Sequence, residues 1–218
     1  MRAPRYAAML VAMAALLWPA LARAQAVPAG LDSATAAAIA PIVEQAKATG
    51  LPVGALYVKA REGQVRRVPL AAITSAVRAL GQRLRSANDA LAPNPSEQEL
   101  RAAADAIKQG VGAQTLRAMR KAGGDGSLAV PLGVLTQLIL RGVPVEKASM
   151  KVVDLLNRGA MPQTFIALDE SVRQDVLAGR HPDESLDLRL KGIIPNLPQS
   201  QTNADAAGLQ ANTPKRPR

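Results

Sequence analysis

The sequence predicts an all-α protein, a compact bundle or irregular array of about seven to nine short helices with glycine and proline corners. Apolar residues recur along it at helical steps of three and four. Corners that join an apolar residue to a proline recur as well, as in Gly142-Val143-Pro144. The apolar residues are mainly Ala, Leu, Val and Ile, with one Trp, two Tyr and one Phe, which favours close helix packing over strands.

The N-terminus has the pattern of a secretory signal peptide over residues 1–24. Arg2 and Arg5 precede an apolar run from Ala7 to Trp18, and Ala22-Arg23-Ala24 fits a small-x-small cleavage site. We therefore expect a mature chain that starts at Gln25 and a periplasmic or secreted bacterial protein. An uncleaved anchor is the alternative, but the run is shorter than the roughly 20 residues that span a bilayer.

The first helices are expected to start at capping or proline residues. Asp32 can cap a helix that contains Pro41 and ends at Thr49-Gly50, where Pro41 either kinks the helix or divides it. Leu51-Pro52 opens a second helix, which Gly63 is expected to end. Val68-Pro69 opens a longer one with a clear apolar stripe.

Residues 92–95, Ala-Pro-Asn-Pro, form the most obvious internal break. Ser96 and Glu99 behind it have the spacing of a capping box, which predicts a helix that ends near Gly110. We expect one all-α domain over 25–194, and a subdivision at 92–95 is the alternative. A short helix then follows Val111-Gly112.

The later helices include the one expected to be most buried. It starts at Val130-Pro131 and is apolar on all sides. Helices starting at Val143-Pro144 and Met161-Pro162 follow. Residues 185–191 alternate with strand period, but a lone strand would have no partner, so a last short helix or an extended strap is expected. Residues 195–218 have the composition of a disordered basic tail.

Six corners share one spacing rule. The residues four positions after each proline or glycine of the corner should enter the core, because proline presets the first turn and the preceding apolar residue packs back on it. These residues are Leu56, Ile73, Leu116, Leu135, Ala148 and Ile166. The uneven spacing of the corners favours a bundle or irregular array over a regular superhelix.

Composition narrows the function classes. The chain has no cysteine, so thiol chemistry, disulfides and lipoprotein acylation are excluded. The net charge is +10, and it would fall to +7 (24 basic against 17 acidic residues) once Arg2, Arg5 and Arg23 leave with the signal peptide. The scarcity of aromatic residues argues against carbohydrate and nucleic-acid partners.

We therefore predict a non-catalytic, exported helical interaction or structural protein without a cofactor, whose partner is another protein. The alternative is a peripheral polyanion binder that contacts an anionic membrane surface or a cell-wall polymer. Its candidate residues are helix arginines, for which an ordinary solvated face is the simpler interpretation, and basic residues of the tail: Arg66, Arg67, Arg78, Arg83, Arg85, Lys215, Arg216 and Arg218.

A third hypothesis is a hydrolase centred on His181, the only histidine, which has Asp183, Glu184 and Ser185 close behind it. No nucleophile elbow accompanies these residues, and a catalytic triad is assembled by the fold and not by adjacency in sequence. The adjacent carboxylates Asp169-Glu170 and Asp183-Glu184 are expected to be helix-surface or capping acids. With one histidine and no cysteine, a zinc site is not expected.

Overall fold

The computed structural model describes residues 30–197, which form α-helices, one 3₁₀ helix and no strand. The predicted signal peptide and residues 198–218 lie outside this range. The all-α fold is confirmed. The helices are α1 Ser33–Ala48, α2 Val53–Val65, α3 Leu70–Leu91, α4 Glu97–Lys108, α5 Ala113–Gly123, α6 Ala129–Leu140, α7 Val145–Asn157, α8 Pro162–Leu177 and α9 Pro182–Ile193, followed by a 3₁₀ helix Ile194–Asn196.

The helices are arranged as an array of two rows. In one row α4 packs against α6 and α6 against α8, and α2 extends the row across a groove beside α4. In the other row α1, α3, α5 and α7 pack in succession, and Lys147 of α7 forms ion pairs with Asp183 and Asp187 of α9. Many helices therefore neighbour the helix two positions further along the chain, and consecutive helices such as α3 and α4 pack across the two rows.

The corners between helices follow one hydrogen-bonding scheme. At the end of α6, Gly142 has φ +103 and donates to the Ile139 carbonyl, while Val143 donates to the Leu138 carbonyl. This double closure is a Schellman motif, and the same pair of bonds recurs after α1, α4, α7 and α8. The glycine turns the chain, and after α1, α4 and α6 the apolar residue that follows it, Leu51, Val111 or Val143, returns to the core, whereas Arg180 after α8 is exposed.

The first turns of α2 to α9 bury the residue four positions after the N-cap. In α3 that residue is Ile73, in α5 it is Leu116, and in α7 it is Ala148. The predicted position in α8 is wrong, because Ile166 is 55% exposed and Phe165 is fully buried instead. The reason is that α8 begins at its proline with Met161 as N-cap, whereas the proline is itself the N-cap of α2, α3 and α7.

The end of α2 also differs from the prediction. Gly63 does not stop the helix, which continues to Val65. A Cβ atom at Gly63 would lie 2.8 Å from Cγ1 of Ile73, so the glycine allows α2 and α3 to approach closely. Arg67 takes part in the Schellman motif that ends α2, and it adopts φ +54 at the position that glycine occupies in the other corners.

The expected caps and the break between α3 and α4 are present. Asp32 accepts a hydrogen bond from the Thr35 amide at 2.7 Å, and the Ser96–Glu99 capping box is complete. Pro41 lies inside α1 and does not divide it. The break contains a cis Ala92–Pro93 peptide, and α3 and α4 on either side of it pack together.

The core runs through both rows, and α6 contributes four residues to it, Leu132, Val134, Leu135 and Leu138, as its apolar sequence predicts. Residues 185–191 are helical, with Leu186 and Leu190 buried and Leu188 exposed. The alternating pattern of this segment does not produce a strand, because within residues 30–197 no other strand exists to pair with it. A hydrogen bond in a helix stays within the segment, so no partner is needed.

A buried carboxylate joins three helices beside this core. Glu99 of α4 is only 6% exposed at its side chain. It accepts hydrogen bonds from the amide of Leu128, which precedes α6, at 2.9 Å and from the amide of Ser96 at 2.8 Å, and it pairs with Arg120 of α5. Burial alone would raise the pKa of Glu99, but these bonds outweigh it and lower the pKa from 4.5 to about 2.

Candidate functional site

A groove of about 510 Å³ opens between α2 and α4, with α3 as its base. We call it the α2–α4 groove. Its volume is in the range typical of ligand sites. The lining residues include no serine, threonine, tyrosine or histidine, so its chemistry is that of apolar contact and charge.

The base of the α2–α4 groove is apolar and built from small side chains. They come from one face of α2 and one of α3: Ala55, Val58, Ala76, Ala79 and Leu80. Positions 76, 79, 80 and 83 share one side of α3 because they are three and four residues apart. Val58 is 65% exposed, which leaves an apolar surface open to a partner.

The rim of the α2–α4 groove carries four cations, Lys59, Arg83, Arg101 and Lys108, and the carboxylates of Glu62 and Asp105. Two of the cations are neutralised locally, since Lys59 pairs with Glu62 at 2.8 Å and Arg101 pairs with Glu97. The hydrogen bond from Lys59 holds the pKa of Glu62 below its usual range, with help from the charges of Arg66 and Lys108.

Arg83 is the most distinctive residue of the α2–α4 groove. It is half-buried on α3, and its Nε atom is buried without a hydrogen-bond partner among the described residues. It also forms no ion pair within residues 30–197. A buried donor that lacks an acceptor costs about 1–3 kcal/mol. A ligand carboxylate in this groove would supply the acceptor and form a charge-assisted bond.

The structure does not bring the five predicted helix arginines to one surface. Arg78 and Arg85 line a different hollow of about 290 Å³ between α1 and α3, while Arg83 faces the α2–α4 groove. Arg66 is the C-cap of α2 and pairs with Glu62 at 2.9 Å, and Arg67 follows it in the closing turn. The predicted tail residues Lys215, Arg216 and Arg218 lie outside the described residues.

The residues around His181 form a helix start. His181 is the exposed N-cap of α9, and the Ser185 hydroxyl donates to its backbone carbonyl at 2.9 Å and not to its ring. Asp183 forms an ion pair with Lys147 at 2.6 Å. This geometry does not align a serine, a histidine and a carboxylate as a triad requires.

The other carboxylate pair is also held by cations. Asp169 of α8 binds Arg141 at the end of α6 through both of its oxygens, and Glu170 pairs with Arg173 at 2.7 Å. The hydrogen bond from Arg173 lowers the pKa of Glu170 to about 2. Both acids therefore form ion pairs with arginines at the helix surface.

Sequence reasoning missed most of the α2–α4 groove. Lys59 of α2 and Arg101, Asp105 and Lys108 of α4 were not singled out, because they come from helices that are not consecutive in sequence. Arg83 is the one charged residue of this groove that the sequence indicated, because the amphipathic pattern of α3 places it beside the apolar stripe.

Comparisons with protein-family models, with curated proteins and with solved structures found no match to this chain. Within residues 30–197, no cluster of three or more histidine or acidic side chains could hold a metal ion. None of the helices in this range has the length and apolarity needed to cross a membrane. The class of protein defined so far is an all-α, two-row helical array with an open groove.

Proposed function

We propose that this chain is an exported, non-catalytic interaction protein that binds an acidic amphipathic segment of another protein in the α2–α4 groove. The observation that carries the proposal is Arg83, whose Nε is buried and unpartnered beside an apolar base. An amphipathic segment would place apolar side chains on Val58 and Leu80 and carboxylates at the cationic rim. Grooves between helices are a recurring site for such segments.

The proposal can be tested with a fluorescein-labelled synthetic helical peptide that has leucine residues on one face and glutamate residues on the opposite face. Its affinity for the protein is measured by fluorescence anisotropy. Arg83→Gln should weaken binding about tenfold, which equals about 1.4 kcal/mol, because a charge-assisted hydrogen bond is lost. Arg78→Gln is the matched control, since it removes the same charge from the same helix on a different side. Equal weakening by both variants would show that only net charge matters and would refute the groove assignment.

A second variant separates the apolar contribution from the charge. Val58→Asp should abolish binding, because it places a carboxylate on the exposed apolar base next to the position of the peptide carboxylates. Val65 is the control, being similarly exposed, at 75%, near the end of the same helix and not among the residues that line the groove. Val65→Asp should leave the affinity unchanged.

The geometry also supports a second candidate, contact with a polyanion through Arg78 and Arg85. Both are exposed, lie two turns apart on α3 and form no ion pair within the described residues. The double variant Arg78→Gln, Arg85→Gln should reduce sedimentation with phosphatidylglycerol vesicles at low salt. Binding to a membrane through these charges must also decrease at high salt, because screening weakens exposed charges. Vesicle binding that is equal in the variant and in wild type would contradict this candidate.

A further inference from the structure

A second groove, of about 540 Å³, lies between α5 and α7 in the other row. We call it the α5–α7 groove. Val145, Met150 and Val153 supply apolar surface, and Met150 is 65% exposed. The lining contains two carboxylates, Glu146 and Asp154, and no cationic side chain. Its charge is therefore opposite to that of the α2–α4 groove.

The carboxylates of the α5–α7 groove differ in their surroundings. Asp154 pairs with Arg158 at 2.9 Å and is 40% exposed. Glu146 is exposed and forms no ion pair with any described residue. Ser149 lies between them in the wall, 7% exposed, and its hydroxyl has no hydrogen-bond partner within residues 30–197. The groove thus offers an unpaired negative charge and an unsatisfied polar group beside an apolar surface.

The chain itself carries a segment with matching chemistry. Residues 198–218 contain the cations Lys215, Arg216 and Arg218 against a single acidic side chain, Asp205. Leu209 is their only large apolar residue. A basic segment with one leucine complements a groove that has an apolar strip and free carboxylate charge.

The position of α9 brings this segment within reach. Helices α7 and α9 lie side by side and run in the same direction, because Lys147 of α7 pairs with Asp183 at 2.6 Å and with Asp187 at 2.7 Å, and Lys151, one turn further along α7, lies 3.9 Å from Asp187. The end of α9, where the segment begins, therefore points towards the end of α7. Helix α7 has 13 residues and is about 20 Å long. Leu209 lies 12 residues after Leu197, and this length of chain can span up to about 40 Å, which is about twice the length of α7.

We infer that residues 205–218 dock in the α5–α7 groove of their own chain, with Leu209 against Met150 and Val153 and the terminal cations at Glu146. Docking within one chain needs no second molecule, and the short connection gives the segment a high effective concentration at the groove. The inference does not depend on the proposed function, because the two grooves share no lining residue.

Electron paramagnetic resonance of the full chain tests the inference. The chain has no cysteine, so Gln210→Cys provides a unique attachment site for a nitroxide label next to Leu209. The spectrum should contain a motionally restricted component, which Glu146→Lys should abolish. Glu184→Lys is the matched control, because it reverses an exposed acid in the first turn of α9 instead of α7. It should leave the restricted component unchanged.

The restricted component must also persist on about tenfold dilution, because binding within one chain is independent of protein concentration. A decrease on dilution would mean that the segment binds a second copy, which overturns the inference. A fully mobile label in the wild-type background, or equal effects of the two charge reversals, would also overturn it. Circular dichroism of each variant confirms that the helices are intact.

Discussion

Replacing Glu99 with glutamine should destabilise the protein by about 3 kcal/mol near neutral pH. The carboxylate joins α4 to α5 through Arg120 and to the start of α6 through the Leu128 amide, and its side chain is 6% exposed. Its pKa falls from 4.5 to about 2 on folding, which corresponds to about 3 kcal/mol in favour of the charged form. Glutamine retains the shape, but it removes the charge that faces Arg120.

The assay is equilibrium unfolding in urea followed by far-ultraviolet circular dichroism, with Glu97→Gln as the matched control. Glu97 lies two residues earlier in α4 and pairs with Arg101, but its side chain is 57% exposed. Exposed pairs contribute about 0–1 kcal/mol, so this control should shift the free energy of unfolding by less than 1 kcal/mol. Equal losses in the two variants would refute the argument that burial makes the Glu99 pair important.

The same variant predicts a pH dependence. A carboxyl whose pKa is lowered by folding contributes stability above its unfolded pKa and loses it as the pH falls through its folded pKa. The difference in unfolding free energy between wild type and Glu99→Gln should therefore be complete above about pH 5 and should shrink towards pH 2. A difference that stays constant over this range would contradict the assignment.

Three further predictions concern stability and can be checked by the same urea unfolding. Gly63→Ala should lower the free energy of unfolding by about 1–3 kcal/mol, because the new Cβ would lie 2.8 Å from Ile73. Gly133→Ala should raise it by about 0.5–1 kcal/mol, because a Cβ at that position has no atom within 4 Å. Arg67→Gly should gain up to about 1 kcal/mol by relieving φ +54; a loss would mean that the side chain contributes more than the strain costs. Phe165→Ala should cost about 3–5 kcal/mol, and a cost below 1 would contradict its full burial.

The helices could be predicted from the sequence because their start and stop signals are local. The Ser96–Glu99 box and the Gly142 corner depend on residues within one turn, and both are present in the structure. The register of α8 was not predictable in the same way. Whether a proline is the N-cap or the first helical residue depends on the fit of Phe165 into the core, which is a tertiary contact.

The candidate site could be predicted only in part for a similar reason. Arg83 was accessible from the amphipathic pattern of α3, since its own helix determines its side. Lys59 and Lys108 are 49 positions apart and line the same groove because α2 and α4 both flank α3. No periodicity within a helix encodes which helices become neighbours. The role of Gly63 was missed because a glycine that admits a neighbouring helix has the same sequence appearance as one that ends its own.

The two-row order has a consequence for how such a chain can change over generations. Because helices pack mainly on their neighbours in the array, a gene duplication that inserts two helices would extend both rows and leave the remaining contacts in place. The Gly-apolar-Pro corner provides a natural junction for such an insertion, since its hydrogen bonds join residues no more than five positions apart. Homologues of different length should therefore differ by whole helix pairs, with breakpoints at these corners.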